Sequence, residues 1–175
     1  MAKAVFCTAK TYAHACRIAD KLKLAGFSNH DISVLMPDPA GTKEFAVHNE
    51  TKAPEGTAAG VGTGAALGAG LGWLAGIGAL AIPGLGPLIA AGPIMAALSG
   101  AAIVGTVGGL TGALIGMGIP EYEAKRYQER LKGGFALISV HSENPKETER
   151  AMEIFKAEKA EDISSSSEPA STAKH

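Results

Sequence analysis

Cysteine is scarce, and an excess of charge of one sign is absent. The 175 residues contain two cysteines, and Lys plus Arg (16) nearly balance Asp plus Glu (17), for a formal net charge of -1. That balance gives no basic excess to hold a phosphate backbone, so nucleic acid is not an expected partner. Cys7 and Cys16 form no Cys-x-x-Cys pair and no Cys/His cluster. Metal binding gains no support from them, and two buried thiols in a reducing compartment are the expectation. The N-terminal apolar run, Ala4-Val5-Phe6-Cys7, is too short for a signal peptide, which favours a cytoplasmic start.

The most consequential absence is internal. No Lys, Arg, Asp, Glu or His occurs in residues 56–119, whereas 19 of the 23 glycines lie within 56–118. Outside that stretch the chain reads as two polar blocks. In the first (1–37), Ala4–Cys7 suggests a strand. Ala15, Ile18, Ala19, Leu22 and Ala25 follow helical spacing, Gly26 fits a helix C-cap, and Ile32–Met36 suggests a second strand stopped by Pro37 and Pro39. Residues 38–55 read as a linker. The second block (120–164) has a charged helix over Glu121–Lys132 and a strand over Phe135–His141. A helix starting at Asn144-Pro145 follows, then a short strand at Asp162-Ile163-Ser164. Residues 165–175 read as a disordered tail.

The two blocks resemble each other, with Ala15, Ala19, Leu22 and Ala25 set against Glu147, Ala151, Ile154 and Ala157 at an offset of 132. Two βαβ halves that need each other to bury one sheet predict an α+β, ferredoxin-like split domain. The uncharged stretch interrupts it.

That stretch is long enough for two bilayer passes at about 20 residues each. The spacing predicts a two-helix transmembrane hairpin, with helices near 57–82 and 93–118 and a tip at 83–92. Gly56, Gly60, Gly64, Gly68, Gly72 and Gly76 recur every four residues. Gly100, Gly105, Gly108, Gly109, Gly112 and Gly116 give the second helix its own small-residue face. In lipid, such faces let helices pack closely and self-associate as a glycine zipper. The rival reading is a soluble Gly/Ala-rich helical core or a disordered linker. It demands a much larger protein to cover 64 uncharged residues.

Lys43 and Lys52 before the stretch and Lys125, Arg126, Arg130 and Lys132 after it put both termini on the cytoplasmic side of the inner membrane. The last four are candidates for lipid head-group contact, set against the plainer reading of a solvated helix face. Catalytic chemistry is not indicated. His141 beside Ser142 and Glu143 is a strand end, and Gly60-x-Gly62-x-x-Ala65 lacks the acidic residue a dinucleotide loop needs. No cofactor or metal is implied.

Val5-Phe6, Ala15-x-x-x-Ala19-x-x-Leu22, Ala25-Gly26-Phe27 and Asp31-Ile32-Ser33-Val34-Leu35 together resemble the bacterial general stress protein 17M-like domain, over about 35 residues. The flanks Thr51–Gly56 and Gly118–Glu123 around the glycine-rich run look like uncharacterised bacterial membrane proteins that carry such a domain. The resemblance implies a bacterial, stress-linked setting and no catalytic residues. The resulting expectation is a non-enzymatic, self-associating membrane protein with a cytoplasmic assembly or sensing domain, in stress response or membrane organisation. Its expected partners are the lipid bilayer, copies of itself and a possible membrane protein. The alternatives are an oligomeric pore or an accessory subunit of a larger membrane complex.

Overall fold

A computed structural model describes residues 2–38, 78–82, 85–100 and 109–167. The elements in these residues are β1 (Lys3–Ala9), α1 (Tyr12–Leu24), β2 (Ile32–Pro37), β3 (Gly78–Ile82), β4 (Gly86–Ala91), α2 (Pro93–Gly100), α3 (Gly109–Gly116), α4 (Glu121–Lys132), β5 (Ala136–Ser142), α5 (Pro145–Ala157) and β6 (Glu161–Ser167). The strands form one sheet in the order β3-β4-β2-β5-β1-β6, and every neighbouring pair is antiparallel. The class is therefore α+β, as the sequence suggests.

The first and last blocks are built by the same local rules. Thr11 Oγ1 accepts the His14 N–H at 3.2 Å to start α1. Asn144, 133 positions later, does the same for α5, its Oδ1 accepting the Glu147 N–H at 3.0 Å. Glu147 completes the cap by accepting the Glu143 N–H at 2.8 Å, and Pro145 sits in the first turn, where its missing N–H costs nothing. Both helices end in the same turn. Phe27 N–H donates to the Leu22 carbonyl at 3.2 Å, and Ala160 N–H to the Phe155 carbonyl at 2.9 Å. The caps thus set the structural offset of the two helices at 133, one more than the apolar pattern suggests. Ile18 and Leu22 correspond to Ala151 and Phe155, and all four are buried. The conformation that Gly26 adopts after α1 (φ +95°) is taken by Lys159 after α5 (φ +56°), a position where L residues carry strain.

Alternation along the strands makes both sheet faces apolar. Val5, Cys7, Val34, Ile138 and Val140 face α1 and α5, packing with Ile18, Leu22 and Phe155. Ala4, Phe6, Leu35 and Leu137 point to the opposite face, where they meet Leu88, Ile94, Leu110, Leu114, Ile119, Tyr127 and Leu131. The sheet is thus the middle of three layers, and α2, α3 and α4 form the third.

This arrangement overturns the transmembrane hairpin and the inner-membrane location inferred from it. The residues read as the hairpin tip, 83–92, include β4, which pairs with β2 from Val34↔Ala91 to Pro37↔Leu88 and lies inside the sheet. The end of the first expected helix is strand β3, paired to β4 from Gly78↔Ala90 to Ile82↔Gly86. Of the second expected helix, the described residues form two helices of eight residues each, α2 and α3, and 101–108 lie outside the described residues. At 1.5 Å per residue each spans about 12 Å against a hydrocarbon core of about 30 Å. Among the described residues no helix is long and apolar enough to cross a membrane. Among the described residues of this segment, Ile82, Leu88, Ile94, Leu98, Leu110, Leu114 and Ile119 are buried in the cluster on the second face of the chain's own sheet. Of the earlier span 57–82, residues 57–77 lie outside the described residues. The strand after α5 also runs further than expected, taking residues 165–167 from the supposed tail.

One glycine fixes how the new strands join the old. Gly92 links β4 to α2 at φ +76°, and a side chain there would run into the Ile32 carbonyl oxygen and lie 3.0 Å from Ser33 Cα. Buried Ser33 caps the helix that follows, its Oγ accepting the Ile94 N–H at 3.1 Å. Gly92→Ala is expected to lower unfolding stability by about 2–4 kcal/mol, from positive φ and backbone collision together. Gly112→Ala, helical and with nothing within 4 Å of its added carbon, is expected to raise stability by up to about 1 kcal/mol. Urea midpoints of the two variants check both signs.

Candidate interaction surface

The sequence of α3, Gly-Leu-Thr-Gly-Ala-Leu-Ile-Gly, carries no charge and three glycines, so it holds as a helix by packing rather than by propensity. Leu110, Ala113 and Leu114 supply that packing. Among the described residues, side-chain carbons added at Gly112 and Gly116 would meet nothing within 4 Å, and Ile115 between them is 43% exposed. The chain leaves α3 through Gly118 (φ +88°), with the Ile119 N–H donating to the Leu114 carbonyl at 3.1 Å. It then re-enters a helix at Pro120, whose carbonyl accepts the Ala124 N–H at 2.9 Å. The first turn of α4 presents Tyr122, 64% exposed. Leu24, the other large exposed apolar side chain among the described residues, sits alone at the end of α1 and needs no explanation.

Helix α4 shows three rows. Ala124, Tyr127 and Leu131 point into the core. A second row faces β6: Arg126 Nη1 lies 3.6 Å from Asp162 Oδ1, and Arg130 reaches Asp162 at 2.7 Å and Glu161 at 3.3 Å. Lys10 adds a further contact to Glu161 at 2.7 Å, and Arg130 lies 4.7 Å over the Phe135 ring. Asp162 also accepts Thr8 Oγ1 at 3.0 Å, and its carbonyl accepts the buried Tyr127 hydroxyl at 3.1 Å. The third row lies beside α3, where the Thr111 hydroxyl donates to Gln128 Oε1. One turn away on the same side, Lys125 is 2.6 Å from Glu121. The pair holds the Glu121 carboxyl below its usual range.

Three of the four cations read as lipid-contacting, Lys125, Arg126 and Arg130, are therefore ion-paired within the chain, and Lys132 is exposed at the end of α4. Of the glycines read as helix-packing, Gly56, Gly60, Gly64, Gly68, Gly72, Gly76, Gly105 and Gly108 lie outside the described residues. Gly100 ends α2. Gly109 opens α3 at φ +43°, where an added carbon would sit 3.6 Å from Ile82. Gly112 and Gly116 face outward. The sequence reading missed Gly92 and the Arg130–Asp162–Tyr127 cluster. Nothing in the spacing of either block foretold that α4 would lie across β6.

A polar cleft of about 310 Å³ opens where the α1–β2 turn meets the start of α5, lined in part by Phe27, Asp31, His141, Glu143, Glu147 and Arg150. Several of its groups are engaged in structural bonds. Both Glu147 carboxylate oxygens serve the helix cap, Arg150 donates to the Ala25 carbonyl at 3.1 Å, and the His141 N–H donates to the Asp31 carbonyl at 2.8 Å. Among the described residues no group of three or more His, Cys, Asp or Glu side chains is placed to hold a metal ion.

Compared with protein-family models, curated proteins and solved structures, the chain matches none. The fold and its surface thus define the class, a three-layer α+β protein with an uncharged helical edge. No relative supplies a more particular identity.

Burial sets the alkaline limit of this core. It raises the Cys7 thiol well above its ordinary value of 9.0 and pushes the Tyr127 hydroxyl up as well. The unfolded chain releases these protons, from pH 9 for Cys7 and from pH 10 for Tyr127, while the folded chain still holds them, so each contribution is intact below that pH and lost as pH rises beyond it. Unfolding stability is expected to fall above pH 9 by up to about 1.4 kcal/mol per pH unit per group. Cys7→Ala is expected to flatten that slope when urea midpoints are measured from pH 7 to pH 10.5.

Proposed function

We propose that this chain is a non-enzymatic assembly module that works by associating with its own copies through the outer face of α3. Under this reading its first and last blocks form a ferredoxin-like split βαβ pair. Supporting that core assignment are the strand order β2-β5-β1-β6, the shared face of α1 and α5, and the matching caps 133 residues apart. The stress-linked setting is carried by the resemblance of the first block alone.

The observation that carries the assembly role is the uncharged outer face of α3, where Ile115 stands between two glycines with open space above them. Small residues four apart permit close approach of a second helix, and an exposed apolar residue gains by losing water. An eight-residue helix and its twelve-residue neighbour offer a footprint on the order of 300 Å² at about 10 Å per helix width. That falls well below the roughly 800 Å² per partner of a standard interface, so the association is weak and concentration-dependent.

Sedimentation equilibrium over roughly 10–500 µM, a range suited to small interfaces, is expected to show a monomer converting to a dimer, with Ile115→Glu monomeric throughout. A wild-type mass that does not change with concentration would overturn the reading.

A further inference from the structure

We propose that the cleft between the α1–β2 turn and the start of α5 binds a small zwitterion of the amino-acid class, its carboxylate on Arg150 and its ammonium on Glu143. The fold contains this corner twice, and the other copy is closed by the chain's own side chains. Strands β1 (Lys3–Ala9) and β5 (Ala136–Ser142) correspond at the same offset as the caps Thr11 and Asn144. Where the start of α1 meets the α5–β6 turn, Arg17 Nε lies 3.7 Å from Glu158 Oε2 and Lys10 Nζ lies 2.7 Å from Glu161 Oε1. His14 Nε2 donates to the Glu158 carbonyl at 2.7 Å and completes the closure. A carboxylate on the arginine and an ammonium on an acid thus fill that corner.

At the second corner the arginine is kept and the groups around it are changed. Arg150 holds the Arg17 position, but Ala25 stands where Glu158 supplies its carboxylate. Glu143 holds the Lys10 position, so an acid replaces the ammonium. Glu147 holds the His14 position and turns to the helix cap, its oxygens accepting the Glu143 N–H at 2.8 Å and Asn144 Nδ2 at 2.7 Å. The result is an open cleft of about 310 Å³ lined by Arg150, Glu143, Asp31 and Phe27 among others. Such a volume is at the small end of the roughly 300–1,000 Å³ typical of small-molecule pockets. Arg150 is anchored there by one N–H, Nη1 donating to the Ala25 carbonyl at 3.1 Å, and a guanidinium has five donors. A carboxylate is the planar partner that suits it. Glu143 and Asp31 line the same cleft and favour an ammonium. An anion alone would meet these acids and a cation alone would meet Arg150, so a ligand carrying both signs is the complementary one. Phe27, 8% exposed, gives the cleft an apolar wall for the ligand's side chain.

The test is a titration of the isotope-labelled full chain with L-leucine, followed by amide NMR shifts. Saturable shifts are expected at Gly26, Ser28, His141 and Glu143, with a dissociation constant on the order of 1 mM. N-acetyl-L-leucine, which lacks the ammonium, and L-leucinamide, which lacks the carboxylate, are each expected to bind about tenfold more weakly. Arg150→Gln and Glu143→Gln, both at exposed positions, are expected to show the same loss with an unchanged circular dichroism spectrum. Ala25→Glu restores the carboxylate of the closed corner and is expected to abolish L-leucine binding in a folded protein. The site is rejected if L-leucine gives no saturable shift at these amides or if Ala25→Glu binds it as wild type does. Equal binding of L-leucine and its two blocked derivatives rejects the zwitterion. Helices α1 and α5 lie on the opposite sheet face from α3, so none of these outcomes bears on the assembly face.

Discussion

The constraint on which the rest of the structure depends is that its central strands are apolar on both faces. Phe6, Leu35 and Leu137 point one way while Val5, Cys7, Val34 and Ile138 point the other, and all are buried. A sheet of this kind needs a layer on each side. Helices α1 and α5 cover the first face. The second is covered by chain that leaves the sheet after β2, returns as β3 and β4, and lays α2, α3 and α4 across it. Leu88, Ile94, Leu110, Leu114 and Ile119 are each buried to 1% exposure or less, which at roughly 2 kcal/mol apiece is comparable to the whole net stability of a domain. The β2–β4 ladder holds that layer in register, and the Gly92 turn lets α2 follow directly upon it.

Charge is distributed to suit the same layering. The edge strand β6 contributes little apolar surface, and its contact with α4 is polar. Asp162, held at φ +49°, gathers Arg126, Arg130 and Thr8 with its side chain and Tyr127 with its carbonyl. The Tyr127 hydroxyl also lies 2.6 Å from Ser164 Oγ, and Ser166 Oγ contacts the Gly118 carbonyl. These bonds position the helix directionally where hydrophobic contact is thin. Engaging the β6-facing row in this way leaves the opposite row of α4 beside the uncharged side of α3.

Much of this is legible in the residues. Apolar spacing from Ala15 to Leu22 and from Ala151 to Phe155 marks α1 and α5. Thr11 and Asn144-Pro145 mark their starts, and alternation over 136–142 marks β5, because such signals are local and need no knowledge of the fold. The meaning of 78–119 is not legible in that way. A glycine- and alanine-rich run without charge satisfies equally the requirements of a lipid environment and of a layer buried against a two-faced sheet. Periodicity cannot separate a short apolar strand such as Leu88–Ala91 from a stretch of helix. Of the glycines spaced for close helix contact, Gly112 and Gly116 face outward on α3, and Gly56 to Gly76 lie outside the described residues.

By itself the sequence determined the α+β class, the two related blocks, their caps and the neutrality of the segment between them, since all of these follow from spacing within about one turn or one strand. Only the tertiary structure decided what that neutral segment is for. Whether an apolar run needs lipid or a partner depends on whether some distant part of the same chain presents an uncovered apolar face, and here Phe6, Leu35 and Leu137 do. Solvent exposure is a property of the whole arrangement, so the side of α3 that remains open, and the row of α4 beside it, could be known only once every other face had been filled.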